Sequence, residues 1–298
     1  MRLVAIGEPS AWHMRRIGTC ATSRGHAVEM VRWREMAACI SPAATAVETF
    51  LPVALEEADV VVVRGMPGGG LEEVILRMDL LGRLAARGTP VINSPRSLET
   101  AIDKYLSLAR LAAAGIAVPA TVVAQDAGGI GRAWESLGGD AVVKPLFGSE
   151  GRGIERISTA AHLKPLQDAA GEAPEGIATY LQEFVPHGGW DVRILLIGEE
   201  VFAIRRSSTT DWRTNLARGG TAEPFAPPAD WISLARRAAG VLEVEVAGVD
   251  ILPASDGRVL VLEVNAVPGW RGLEAATGLD PTTALVRWAE TRVRPLDG

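Results

Sequence analysis

The apolar positions of roughly the first ninety residues form short, dense runs separated by helical spacing. "RLVAIG" (2–7) and "ADVVVVRG" (58–65) are continuous apolar runs bounded by turn residues, the pattern of strands buried on both faces. Residues 10–24 between them predict a helix stopped by Gly25. "LEEVILRMDLLGRLAARG" (71–88) repeats its apolar residues at helical spacing and closes on Gly88, at the position where a helix end favours the left-handed conformation. "TPVIN" (89–93) supplies another short strand. Strand and helix in this rhythm predict a small parallel sheet covered by helices.

Ser94 with Pro95 then marks a helix start, and one helical run extends to Gly115. Beyond it the pattern becomes α+β. "DAVVKPLFGSEGRGIERI" (140–157) predicts two strands around a glycine-rich loop, and "ATYLQEFV" (178–185) predicts another strand. "DVRILLIGEEVFAIRR" (191–206) reads as a hairpin turning near Gly198, with helices at "WISLARRAAGVL" and "TTALVRWAE". No internal repeat or low-complexity tract is present, and the boundary between halves falls near 93–97.

One strand carries unusual polar residues. In "LVLEVN" (260–265), Glu263 and Asn265 lie two apart and so share a face. Asp256-Gly257 upstream is a strong hairpin signal. With those two residues as the turn, Ser255 opposes Arg258 and Asp250 stands opposite Glu263. Opposed carboxylates repel, and burying them unpaired is costly. Arginine-paired acids at a solvated strand end would explain an isolated E-x-N. With Asp250 in register, a hard cation fits better: two carboxylates and an amide oxygen suit Mg²⁺, which completes its shell with water and phosphate oxygens. Lys144 ends a strand immediately before a loop holding Gly148, Ser149, Gly151 and Gly153. Such glycines can turn N–H groups towards an anion, although the lysine precedes them, unlike a Walker A loop.

Composition narrows the picture. The 298 residues allow two domains or one large one, 48 % are apolar, and the net charge of −6 offers no general attraction for nucleic acid or anionic membranes. Cys20 and Cys39 have no metal-ligand or CxxC spacing, which fits a reducing cytosol. No apolar run reaches signal-peptide or membrane-spanning form, so a soluble cytoplasmic protein is expected. Of 30 basic residues only Lys104, Lys144 and Lys164 are lysines, which singles them out as places where a compact ammonium is needed. His13, His26, His162 and His187 are scattered and form no evident triad; each reads as a surface or packing residue, except that His187, near the hinge, could touch ligand.

In order along the chain, "DKYLSLARLAAAGIAVP", "VVKPLFGSEGRGI", "QEFV", "DVRILLIGEEVFAIRR", "WRTNLARGG", "GVDI" and "LEVNAVPGWRGLEAATG" resemble the ATP-grasp superfamily, and within it the RimK-like α-L-glutamate ligases. The resemblance implies an ATP-grasp fold behind an N-terminal Rossmann-like (pre-ATP-grasp) α/β domain. It divides the chain into that domain (1–95), a part with the glycine-rich loop (96–185) and a part with the metal-binding hairpin (186–298). It implies that Lys104 and Lys144 contact ATP phosphates, with Gly148, Ser149, Gly151 and Gly153 closing over them. Glu183 and Phe184 would face adenine, Asp191 would help hold the nucleotide, and Arg213 and Asn215 would reach the triphosphate. Asp250, Glu263 and Asn265 match the ligands of Mg²⁺, for which Mn²⁺ can substitute.

Such ligases phosphorylate a carboxylate, and an amine then displaces phosphate to give an amide. Lys144, Arg205 and Arg213 are the expected catalytic charges. Arg193, Arg205, Arg206, Arg218 and Arg271 are candidates for substrate carboxylates. The chain departs from the ribosome-modifying members in a shorter, less charged segment after Arg205 and in Trp270-Arg271. A tryptophan there could stack on a planar ring, similar to the branch linked to tetrahydromethanopterin-type cofactors, or pack beneath the loop. The expectation is thus addition of L-glutamate to a small cofactor carboxylate. Glutamylation of a protein tail, action on an amino-group carrier protein, and a non-catalytic ATP-binding partner are the alternatives. Dimers or tetramers are common among similar enzymes, so a homo-oligomer is possible.

Overall fold

The computed structural model describes residues 1–40, 48–146 and 153–293. The chain begins β1 (Arg2–Ile6), α1 (Trp12–Ser23), β2 (Ala27–Val31), β3 (Ala37–Ile40), β4 (Glu48–Leu51), β5 (Val60–Val63), α2 (Leu71–Ala86) and β6 (Val91–Ile92). A parallel sheet runs in the order β2-β1-β5-β6. Its side chains alternate cleanly: Leu3, Ala5, Val60 and Val62 join a core with Met14 and Ile17 of α1, while Val4, Ile6, Val61 and Val63 join Met78, Leu81 and Leu84 of α2. The hairpin β3–β4 lies outside this sheet and has no counterpart in the sequence reading. Every residue of β3 is exposed, so no alternation marks it.

The helical run after residue 93 breaks into α3 (Pro95–Ile102) and α4 (Lys104–Ala113). Asp103 leaves the helical conformation (φ −80, ψ 105), and its carboxylate accepts from the N–H groups of Tyr105 and Leu106, both at 2.9 Å. It therefore ends one helix and caps the next, which places Lys104 as the first residue of α4.

Next come β7 (Thr121–Ala124), α5 (Ala127–Ser136), β8 (Ala141–Lys144), β9 (Glu155–Ile157), α6 (Ala160–Glu172) and β10 (Thr179–Glu183), with an antiparallel sheet in the order β7-β10-β8-β9. Helices α5 and α6 pack Ile130, Leu163 and Ala170 against Ile157. Three glycines in α5 and Pro165 in α6 dilute their helical pattern, and neither helix stands out from the sequence.

The last part holds β11 (Trp190–Ile197), β12 (Glu200–Ser207), β13 (Thr221–Pro224), α7 (Ala229–Val241), β14 (Val246–Pro253), β15 (Val259–Asn265), α8 (Arg271–Thr277) and α9 (Pro281–Glu290). Its antiparallel sheet runs β13-β12-β11-β14-β15. Gly198 turns the first hairpin with φ +54, and a Cβ there would meet the Trp288 ring at 2.3 Å, so only glycine fits.

Asp250 does pair with Glu263, but not through the two-residue turn. Ala254 donates to Arg258 at 2.8 Å, leaving Ser255, Asp256 and Gly257 as a three-residue turn with Gly257 at φ +90. The register then slips by one at a bulge between Asp250 and Ile251, opposite Leu262. Two single-residue offsets cancel. The bulge also turns consecutive side chains, Leu262 and Glu263, towards one cavity, while Val261 and Val264 stay in the core.

Asn93 joins the first sheet to these strands. Its Nδ2 donates to the carbonyls of Val246 (2.8 Å) and Ala266 (2.6 Å), and its Oδ1 accepts from the N–H groups of Glu245 and Val246, both at 2.9 Å. The side chain is 2 % exposed, so all four bonds are shielded from water. Asn93→Ala strands those buried partners and is expected to cost about 3 kcal/mol, read as a lower urea midpoint.

Candidate active site

Cross-strand pairing sets a row of charges on one face of the five-stranded sheet. Asp191 of β11 faces Arg206 of β12, and Arg193 of β11 faces Asp250 of β14. Arg206 grips Asp191 with two bonds of 2.7 and 2.6 Å, and Arg193 grips Asp250 with two of 2.6 Å. Arg206 also reaches Asp250 at 2.9 Å, while Arg193 reaches Glu263 at 3.4 Å. Burial alone would push Arg206 down and Asp250 up. The paired charges reverse both, holding Arg206 above its ordinary range and Asp250 well below.

Glu263 behaves oppositely. Burial first, and the charge of Asp250 second, push its carboxyl upward. Its side chain keeps 39 % of its surface accessible, opening on the cavity. Oε1 accepts from Asn265 Nδ2 at 3.1 Å, while Glu263 Oε2 and Asn265 Oδ1 take no hydrogen bond among the described residues. Asp250 has three of its roughly four lone-pair positions taken. This donor set fits a hard divalent cation: two open oxygens on Glu263 and Asn265, and one remaining position on Asp250. No group of three or more His, Cys, Asp and Glu side chains placed to hold a metal ion occurs among the described residues.

The two lysines complete the charge balance. Lys144, ending β8, donates to Gln182 Oε1 at 2.6 Å, and burial lowers it to about 8 against the pull of Glu263. Lys104 donates to the Leu146 carbonyl at 3.3 Å and is likewise lowered by burial, with Glu263 and Asp103 opposing. Both ammonium groups border a cavity of about 580 Å³ together with Arg193, Asp250, Glu263 and Asn265.

The other expected residues divide. Glu183, Phe184, Asp191, Arg213, Asn215 and Arg271 line this cavity. The N–H groups of Glu183 and Phe184 are spent on the Ala120 and Asp140 carbonyls, and the Glu183 carboxylate is held by Arg258 at 3.0 Å. Phe184 contributes its ring, edge-on to Trp212 with 5.6 Å between centroids. Asp191 accepts two bonds from Arg206 and acts as its anchor. Arg213, in the segment between β12 and β13, is held by Asp211 (2.7 Å) and by the Ile154 carbonyl just before β9 (2.8 Å).

Three expectations are corrected. Arg205 follows Ala203 on the opposite face of β12; it stacks on Trp190 at 4.6 Å and pairs with Glu223, away from the cavity. Arg218 is exposed and approaches Asp211 at 3.9 Å, also outside it. Trp270 is 1 % exposed and donates to Thr282 at 3.1 Å, so it packs beneath the loop and cannot stack on a substrate ring. Gly148, Ser149 and Gly151 lie outside the described residues; Gly153, which is described, has φ +66.

Several cavity residues escaped the sequence reading. Gln182 interrupts an apolar strand much as Glu263 does, and that signal was available. Arg64 and His13 follow the carboxyl ends of β5 and β1 in a parallel sheet, where ligands gather in doubly wound folds. His187, by contrast, is the histidine that the sequence marks, near the hinge, as able to touch ligand; it lines the cavity, and burial lowers its pKa.

Two lysines and an acid–amide pair across a cleft, on this order of sheets, define a nucleotide-dependent ligase of the ATP-grasp type. A family model described as the RimK-like ATP-grasp domain matches residues 101–289, and the chain belongs to that family. Its enzymes form amide bonds between an acid and an amino acid, using ATP and Mg²⁺. The chain is 28 % identical to the tetrahydromethanopterin:alpha-L-glutamate ligase of Methanosarcina acetivorans, over 96 % of this chain and 98 % of that protein. It is 32 % identical to the ribosomal protein bS6--L-glutamate ligase of Escherichia coli, over 95 % of this chain and 93 % of that one. Among solved structures, the ATP-grasp ligase PsnB complexed with a minimal precursor superposes with a TM-score of 0.75 at 23 % identity, covering 97 % of this chain and 98 % of that one. No helix among the described residues is long and apolar enough to cross a membrane.

Removing one member of the buried charge row leaves its partners uncompensated. Arg206→Met is expected to cost about 3–5 kcal/mol. The pair Arg206→Met with Asp191→Leu recovers a large part of that loss, as measured by urea unfolding of both variants.

Proposed function

We propose that the protein joins the amine of L-glutamate to a carboxylate of a second substrate, converting ATP to ADP and phosphate. The observation that carries this reading is the pair of open oxygens on Glu263 and Asn265, facing Lys104 and Lys144 within one cavity. Glu263 and Asn265, with the last position on Asp250, would hold Mg²⁺, which supplies charge neutralisation among the phosphates. Lys144, Lys104 and Arg213 bind and orient the phosphate chain. The acceptor carboxylate attacks the γ-phosphorus, and ADP leaves. The glutamate amine then attacks the acyl carbon of the resulting acyl phosphate. The carbon–oxygen bond to phosphate breaks, and the amine proton passes to solvent. Positioning and charge do this work without a side-chain nucleophile.

With Trp270 buried, a planar acceptor gains no support from a stacking surface there. A pterin-type acceptor is favoured by the Methanosarcina relative and a protein tail by the Escherichia relative. Incubation with ATP, Mg²⁺, L-glutamate and either class of acceptor, followed by product mass, separates them. ATP binding with no ADP release across that panel would overturn the ligase reading and favour a non-catalytic nucleotide-binding role.

Two variants probe the chemistry. Glu263→Gln removes charge but little volume, so ADP release is expected to vanish while the circular dichroism spectrum is unchanged. Lys144 carries its charge below about 8. Nucleotide affinity is therefore expected to weaken as pH rises through that value in the wild type, and to be weak and flat with pH in Lys144→Met, by calorimetric titration.

A further inference from the structure

Four polar side chains share one face of the sheet β7-β10-β8-β9. Lys144 of β8 lies opposite Tyr180 of β10, and Gln182, two residues on, lies opposite Thr121 of β7. The Gln182 amide, 2 % exposed, joins them. Its Oε1 accepts from Lys144 Nζ at 2.6 Å, and its Nε2 donates to Thr121 Oγ1 at 3.0 Å and to the Tyr180 hydroxyl at 3.1 Å. Thr121 Oγ1 itself donates to the Pro119 carbonyl at 3.0 Å, so towards the amide it can only accept. An ammonium can only donate. Both neighbours therefore select the same orientation of the amide, oxygen towards Lys144 and nitrogen towards the hydroxyls. Burial pushes the Tyr180 hydroxyl above its ordinary range, which keeps it neutral. Gln182 and Lys144 line the cavity, whereas Thr121 and Tyr180 stand behind them.

The Lys144 ammonium has three N–H donors, spends one on Gln182, and makes no other hydrogen bond among the described residues. We propose that Thr121 and Tyr180 are positioning residues, which hold the Gln182 amide so that its oxygen fixes the Lys144 ammonium with the remaining donors turned to the phosphate chain. The inference rests on the reading of Lys144 as a phosphate-binding group. A long, flexible side chain loses rotamer freedom when it grips a ligand, and an anchor already in place reduces that loss. A reversed amide would set its own N–H groups against the ammonium and undo the anchor. The other charges that act on Lys144 are Glu263 and Asp250, which favour the ammonium, and Lys104, which opposes it. Removing either hydroxyl leaves all three in place.

The test is calorimetric titration of the full chain with ADP in the presence of Mg²⁺, which needs no turnover. Thr121→Val keeps the shape of the side chain but loses its oxygen, and is expected to weaken ADP by about fivefold. Thr121→Ser keeps the oxygen and is expected to bind as the wild type does. A packing role would give the reverse order, because valine fills the site and serine leaves a gap. Tyr180→Phe keeps the ring, is expected to weaken ADP in the same sense, and remains informative if Thr121→Val folds poorly. A well-placed acceptor favours the charged form of its donor, so in both variants the pH at which affinity falls moves below its wild-type position. In a Lys144→Met background neither substitution weakens ADP further, because the route to the ligand is gone. Unchanged ADP affinity in Thr121→Val and Tyr180→Phe, equal weakening by valine and serine, or a full additional loss in Lys144→Met overturns the positioning role. Absence of ADP release with every acceptor counts against the ligase reading alone, because these binding results stand separately.

Discussion

Everything in the cleft is organised around the buried exchange of charge between Arg193, Arg206, Asp191 and Asp250. Isolated, each would be expensive to hold away from water; as two doubly bonded cross-strand pairs linked at Asp250, they sustain one another. The sheet makes this possible, because direct opposition in β11, β12 and β14 delivers each acid to its arginine in register. Asp250 is thereby kept ionised, and Glu263, one strand further out, feels its repulsion, offset only in part by Arg193, Lys144 and Arg206. A carboxylate only partly matched at the edge of a satisfied network is where the cleft would meet added positive charge.

The opposite wall supplies cations under the same rule. Lys104 and Lys144 are partly desolvated, and Glu263 restores some of what burial removes. Acid and lysines are thus mutually dependent before any ligand arrives. A polyphosphate with its divalent counter-ion fits such an arrangement, since it brings both signs at once.

Much of this was legible in the chain. The parallel sheet declared itself through "VVVV" and "RLVAIG", and the gathering of Asp250, Glu263 and Asn265 at one cavity through an acid and amide interrupting an apolar strand. The correct opposition of Asp250 and Glu263 nevertheless came from a turn one residue too short, offset by a bulge that no local pattern announces. Arg205 and Arg206 show a second limit. Adjacent arginines on a strand must face opposite ways, and only the neighbouring strands decide which one enters the cleft. Trp270 is the third case, because an aromatic near a site reads alike whether it touches ligand or props the loop. Arg64 and His13 went unmarked, since a lone arginine and a lone histidine carry no period.

Asn93 has a consequence for how the two halves of the cleft work together. Arg64 follows a strand of the first sheet and His13 lies in the helix packed on it, Glu263 and Asn265 belong to the last sheet, and a neutral amide with four short bonds holds the two sheets together. Dipoles sealed from water are not weakened by dissolved ions, whereas exposed charges such as Arg271 at the mouth are screened within about 10 Å at 0.1 M salt. The spacing across the cleft therefore behaves as a ruler indifferent to ionic strength, leaving brine to alter how often substrates arrive but not how far apart they are held.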